Sequence, residues 1–169
     1  LRNSSAASDV YKRQEINLAI KTISKTFGGL DILVNNAGYG YLAAIEEGED
    51  EEVRRLFETN FFGALELTKA ALPGMRSQKF GRIINNSSQA GIMANPGTGY
   101  YSSSKFALEG LMEALDKELR PLNIAVTSVQ PGAFRTDWSG RSMKRSKNEI
   151  PDYHCLLYTS PSPRDLRKS

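Results

Sequence analysis

The chain has 169 residues, 40% of them hydrophobic and 24% charged, with a formal net charge of +3 at pH 7. One Cys and one His exclude a disulfide, a Cys-rich metal site and, with that His at the edge of a foreign flank, a Ser-His-Asp mechanism. The positive charge belongs to the ends, where Arg2, Lys12, Arg13, Arg164, Arg167 and Lys168 face only Asp9 and Asp165. Without them, the totals of 22 basic and 19 acidic side chains fall to 16 and 17, so the interior gives no reason to expect nucleic acid or a membrane surface as a partner.

In chain order, the first and last segments read as foreign. Residues 4–14 back-translate in frame to a transposase adapter used in sequencing libraries, and residues 155–165 to the complement of its partner adapter. Residues 1–14 and 155–169 are therefore set aside as non-native flanks, and residues 15–154 are read as a piece of one longer domain. Cys155 falls in a flank and His154 at its border. No signal peptide or membrane-spanning run is visible, so a cytoplasmic location is the default expectation.

From residue 15 onward, helix and strand signals alternate, the pattern of an α/β fold with a parallel sheet. Ile16, Leu18, Ala19, Ile20, Ile23 and Phe27 predict a helix over 15–27, ended by Gly28-Gly29 as a C-cap. An apolar strand over 31–36 runs into the small, polar turn Asn35-Asn36-Ala37-Gly38. A long helix follows over about 50–72, with Glu49, Asp50, Glu51 and Glu52 as a solvated acidic cap rather than a metal site. Its buried stripe is Val53, Leu56, Phe57, Phe61, Ala64, Leu65, Thr68 and Leu72, and Pro73-Gly74 helps to break it. Then come a strand over 82–87, a glycine-rich loop over 91–99, a helix over 101–119 and a strand over 124–129 that leads into Pro131-Gly132.

Chemistry enters at Tyr101 and Lys105. Four residues apart on a helix, they share one face. A phenol is a poor acid–base group at neutral pH, and an ammonium beside it favours the phenolate. Ser88, 13 residues upstream of Tyr101 at the end of its strand, offers a hydroxyl to hold a carbonyl or alcohol oxygen. The combination suggests carbonyl/alcohol redox chemistry.

Together these motifs carry a resemblance. Asn-Asn-Ala-Gly at 35–38, Asn60 in a helix, Ser87-Ser88, Tyr101-x-x-x-Lys105, and Pro131-Gly132 followed by Thr136 resemble the short-chain dehydrogenase/reductases over residues 15–145. The resemblance implies a partial Rossmann-type doubly wound parallel sheet, lacking its N-terminal strands and its C-terminal strand. It implies that Tyr101 is the general acid or base, and that Lys105 lowers the Tyr101 pKa and hydrogen-bonds the nicotinamide ribose. Ser88 would hold the substrate oxygen, and Asn60 would position a relay water. Asn36, Ala37 and Gly38 would line the cofactor, NAD or NADP with NADP slightly favoured. Pro131, Gly132 and Thr136 would hold its nicotinamide end, and Asn35 would brace the sheet. No metal is implied.

Several residues compete with these roles. Asn60 could be a buried polar group satisfied by the backbone. Ser87 adjoins Ser88, but the spacing to Tyr101 favours Ser88. Tyr100 adjoins Tyr101, yet the residue four beyond Tyr100 is Ser104, so Tyr100 is read as a packing or substrate-side residue. Asn86 departs from the family pattern, which has an aliphatic residue there.

The Gly-rich dinucleotide fingerprint of the family is not in these 169 residues, and Gly28-Gly29 does not fit it. Without a neighbour, the strand at 31–36 exposes an apolar edge, so the chain is expected to be unstable or prone to aggregate. The activity expected for the parent protein is that of an NAD(P)-dependent oxidoreductase, hydroxysteroid dehydrogenase-like or 3-oxoacyl reductase-like, acting on a small carbonyl or alcohol as a homodimer or homotetramer. A non-catalytic nucleotide-sensing or regulatory relative is the alternative, and the intact set of Asn60, Ser88, Tyr101 and Lys105 argues against it.

Overall fold

The computed structural model describes residues 3–132 and 142–155, with side chains from Arg13 onward. Helix α1 spans Asn3–Phe27 and passes residue 14 without a break, so the helix extends well upstream of the expected start at residue 15. Ile16, Ile20 and Ile23 are half-buried on one side of it, whereas Leu18 and Phe27 are exposed. Gly28 ends it at φ +84°, a conformation that costs glycine least, and its N–H donates to the Ser24 carbonyl at 3.0 Å.

The strands β1 (Ile32–Asn35), β3 (Gly81–Asn86) and β4 (Ile124–Val129) form one parallel sheet in the order β1-β3-β4. Leu33 pairs with Ile83 and Ile83 with Val126, so side chains of one parity share a face. On that face Leu33, Ile83 and Ile124 pack against Met75, Leu108, Met112, Leu115 and Leu119 from two helices, and Ile20 of α1 joins them. Burying a side chain such as Met75 or Ile83 completely contributes about 1.5–3 kcal/mol. The described helices cover this face alone. On the other, Ile32, Val34 and Val129 stand 54%, 56% and 44% exposed.

The long helix is wound in three parts: α2 (Asp50–Phe57), a π-helical turn (Glu58–Phe62) and α3 (Gly63–Gln78). Its buried positions Leu56, Asn60, Ala64 and Thr68 recur every four residues, longer than the 3.6 residues of an α-turn. The wider π turn absorbs that excess and keeps Asn60 facing inward.

Pro73-Gly74 does not break the helix, as the sequence suggested it would. α3 continues to Gln78 and stops at Lys79, in the left-handed conformation at φ 54°. Both Pro73 and Lys69 are exposed, so the carbonyl that loses its donor lies beside water, while Met75 beyond the Pro is wholly buried. Packing of Met75 outweighs the lost hydrogen bond.

Helix α4 (Gly99–Leu119) completes the layer. A second, two-stranded parallel sheet had no signal in the sequence reading. It pairs β2 (Gly40–Leu42) with β5 (Met143–Arg145), Gly40 opposite Met143.

Two predictions follow from this packing. The exposed face of β1 and β4 is expected to drive self-association, so Ile32→Thr with Val34→Thr should reduce the associated fraction in light scattering and leave the circular dichroism unchanged; equal association would place the contact elsewhere. Asn35→Ala strips the Asn85 carboxamide oxygen of its donor at 2.7 Å and lowers stability in urea unfolding by about 1–3 kcal/mol.

Candidate active site

Parallel pairing puts the carboxyl ends of β1, β3 and β4 at one edge of the sheet. There Asn36-Ala37-Gly38, Ser87-Ser88 and Pro131-Gly132 leave their strands side by side. The Ser87 N–H donates to the Val129 carbonyl at 2.8 Å, and the Gln89 N–H to the Pro131 carbonyl at 3.1 Å. Tyr101 and Lys105 reach the same edge from the first turns of α4, and both are buried. The Lys105 Nζ lies 5.9 Å from the Tyr101 ring centroid.

Ser88, not Ser87, faces the phenol. Ser88 hydrogen-bonds Tyr101, and its Oγ also accepts from the Ala90 N–H at 3.1 Å. Ser87 points under the neighbouring turn, where a side chain on Gly91 would meet its Oγ at 2.8 Å. Tyr100 turns away from the site: its hydroxyl donates to the Ile45 carbonyl at 2.6 Å and its ring packs against Tyr41.

Asn60 reaches the site from the π turn with both ends of its carboxamide engaged. Its Oδ1 accepts from the Tyr39 N–H at 3.0 Å; its Nδ2 donates to the Tyr39 carbonyl at 2.9 Å and to Ser104 Oγ at 3.1 Å. Ser104 in turn donates to the Tyr101 carbonyl at 2.7 Å. Asn60 therefore clamps the backbone after Gly38 onto α4. Gly38 lies so close that a Cβ there would meet Asn60 Oδ1 at 3.2 Å and Lys105 Nζ at 3.5 Å. Only a residue without a side chain leaves that space open.

The strand residues before the turn brace one another. Asn35 donates to Asn85 at 2.7 Å and to Thr68 at 3.2 Å, and one rung further the exposed Asn36 accepts from Asn86 at 2.7 Å. Asn86, the residue that departs from the family pattern, thus ties β3 to Asn36. Ala37 and Gly132 are exposed and Pro131 half-buried at this edge. Thr136 lies outside the described residues.

Electrostatics differ from the expectation. Burial raises the Tyr101 phenol above its ordinary range, opposed by the hydrogen bond from Ser88. The Lys105 Nζ donates to the Asn86 carbonyl at 2.8 Å. Lys105 is itself brought down to about 8 by burial, with Glu109 pulling the other way. One cause, the loss of water, moves the acid and the base in opposite directions.

Sequence reasoning missed several supports. Ser104 sits three residues after Tyr101, on the face of α4 that the Tyr and Lys already marked. Glu109 stands four residues after Lys105, a spacing that signals a charge pair on a helix. Glu47 had no signal: it is 1% exposed, and its carboxylate accepts from the N–H groups of Ala44 and Ile150 at 3.1 and 2.8 Å. Glu52 accepts from Tyr39 and Lys144, both at 2.8 Å. Burial pushes its carboxyl up, but the hydrogen bonds from Lys144 and Tyr39 outweigh that and hold it below the usual range. The acidic turn is thus partly an anchor for β5. Among the described residues no cluster could hold a metal ion, and no helix is long and apolar enough to cross a membrane.

The family model described as short chain dehydrogenase matches residues 3–147. A 3-ketodihydrosphingosine reductase of Bacteroides thetaiotaomicron is 42% identical over 146 residues, 86% of this chain and 54% of that protein. A short-chain dehydrogenase from Streptomyces avermitilis superposes with a TM-score of 0.78 at 39% identity, over 83% of this chain and 53% of that one. NAD+-bound xylitol dehydrogenase does so with a TM-score of 0.69 at 33% identity, over 71% and 46%. The chain spans about half the length of these relatives. On the family match and these identities, the chain belongs to the short-chain dehydrogenase family.

Proposed function

We propose that the whole protein is an NAD(P)-dependent oxidoreductase that interconverts a carbonyl and a secondary alcohol, and that residues 15–154 carry its catalytic half. The observation that carries the reading is the convergence of Ser88, Tyr101 and Lys105 beside Gly38, with Asn60 clamping that turn to α4.

The space beside Gly38 suits a nicotinamide cofactor. It is kept clear of a side chain and is edged by the Lys105 ammonium and the Asn60 carboxamide; Asn36, Ala37, Pro131 and Gly132 are the further residues we assign to the cofactor. Thr136 is assigned to the same cofactor end by the family pattern. When bound, the nicotinamide gives hydride to the carbonyl carbon or takes it back from the alcohol. The NAD+-bound xylitol dehydrogenase supports this class of cofactor.

Within the site, Ser88 orients the substrate oxygen and Tyr101 exchanges the proton with it. Burial favours the protonated phenol, which is the form that carbonyl reduction requires of an acid. The reductase named among the relatives supports the same direction. Lys105, charged, would hydrogen-bond the cofactor and ease the phenol's loss of its proton. Because the Asn60 carboxamide is already engaged, its part in a water relay falls to its backbone carbonyl in the π turn.

For the substrate we favour a hydroxysteroid-like or 3-oxoacyl-like ketone, with a cytoplasmic location and assembly through the long helix and α4 as a homodimer or homotetramer.

In the full-length protein, Tyr101→Phe is expected to lower turnover by about 10²–10⁴-fold while cofactor affinity stays within a few-fold. Turnover at the parent rate would remove Tyr101 from the acid–base role. The 169-residue chain alone is expected to show no saturable NADH or NADPH fluorescence enhancement; tight binding would mean that the cofactor needs less than we assign.

A further inference from the structure

Lys105 is a buried charge, only 4% exposed, and among the described residues its Nζ donates to a neutral carbonyl, that of Asn86. Among the described residues, the groups that meet it from the elements packed around it are neutral: the Asn86 carbonyl of β3 and, across Gly38, the Asn60 carboxamide of the π turn. Tyr101 on its own helix is a phenol. An ammonium so placed needs a counter-charge to stay protonated, because burial alone favours the neutral amine.

One carboxylate answers that need. Glu109 follows Lys105 by four residues on α4, so the two share a helix face. It is half-buried, and it is held there from a different element: Ser128 of β4 donates its hydroxyl to Glu109 Oε1 at 2.7 Å. The turn that carries Ser88 closes over the same stem. A Cβ on Gly91 would meet Glu109 Cγ at 3.0 Å, the Lys105 carbonyl oxygen at 3.3 Å and Ser87 Oγ at 2.8 Å. Glu109 is therefore fixed between β4 and the 89–91 turn, not left to swing into solvent as a surface Glu does.

We propose that Glu109 is a positioning residue of the candidate site: oriented by Ser128, it supplies the counter-charge that keeps the Lys105 ammonium charged. This rests on the enzyme reading above, since the charge matters to turnover only if Lys105 works there. Its effect on Lys105 runs in the required direction, opposing the loss caused by burial.

Three elements then meet in one electrostatic unit. β4 contributes Ser128, α4 contributes Glu109 and Lys105, and β3 contributes the Asn86 carbonyl. Glu109 touches neither substrate nor cofactor in this assignment. It acts through Lys105.

The test is a pH titration of the Lys105 Cε resonance in the 169-residue chain, with lysine selectively labelled and Lys105→Arg identifying the signal. In the parent chain the midpoint is expected near 8. Glu109→Gln is expected to shift it downward, Ser128→Ala to shift it in the same direction by less, and Glu109→Asp to return it towards the parent value. A midpoint unmoved by Glu109→Gln overturns the proposal. So does a parent Lys105 that titrates with the other lysines near ~10.4, as it would in an exposed or unfolded setting.

The enzyme reading is checked separately in the full-length protein, where the loss of kcat/KM at high pH should begin at lower pH in Glu109→Gln. A shifted resonance with an unshifted pH profile leaves the counter-charge standing and sinks the catalytic role of Lys105.

Discussion

Parallel pairing of β1, β3 and β4 is the constraint on which the site depends. Because all three strands run the same way, every turn that leaves them at the carboxyl end opens on the same edge. The register then decides which side chains meet. Asn35 stands opposite Asn85, and the two carboxamides bond within the core-facing layer. A one-residue slip of β1 would send Asn35 to the other face and bring Asn36 inside against Asn85. The polar rungs thus make the register specific, where Ile and Leu alone would tolerate either arrangement.

Burial sets the chemistry that this geometry offers. Tyr101 is 7% exposed and Lys105 4%, and water is the one thing both have lost. Its removal favours the neutral form of each, raising the phenol and lowering the ammonium. The Nζ bonds the Asn86 carbonyl, and the phenol bonds Ser88. A charge arriving or leaving beside Gly38 would act on both groups at once, since the medium around them screens little.

Much of this was legible in the residues. The helical spacing of Tyr101 and Lys105, the apolar strands ending in Asn-Asn-Ala-Gly and Ser-Ser, and Gly28 as a C-cap are local signals, and local signals survive in a sequence. The π turn was not legible, because it is decided by which residues α3 must bury, not by the propensities of Glu58 to Phe62. Pro73 misled for a related reason: its cost depends on whether the freed carbonyl meets water, which only exposure reveals. The pairing of β2 with β5 joins residues a hundred positions apart in strands of three residues each, too short to carry a periodic pattern. Glu47 carried no signal in the residues, and only the fold makes it a buried acceptor of the Ala44 and Ile150 N–H groups.

Tyr39 joins the two halves of the structure. Its backbone N–H and carbonyl are both held by Asn60, which fixes the turn at Gly38 against α4. Its hydroxyl donates to Glu52, and the Lys144 ammonium that shares Glu52 lies 4.9 Å from the centre of its ring. Burial, reinforced by the Glu52 hydrogen bond, pushes the Tyr39 phenol well above its ordinary range, which favours its donor form. One residue thus carries a backbone contact to the site and a side-chain contact to the segment that returns as β5. Glu47 repeats the arrangement a few residues on, with its carboxylate bound to the Ile150 N–H and its carbonyl accepting from Ser146 at 2.6 Å and Asn148 at 3.1 Å. The stretch from Gly38 to Glu47 is therefore read from both sides, by Asn60 within and by residues 144–150 without. A displacement of β5 would reach the space beside Gly38 through Tyr39, because the two sets of hydrogen bonds share its ring and its peptide groups.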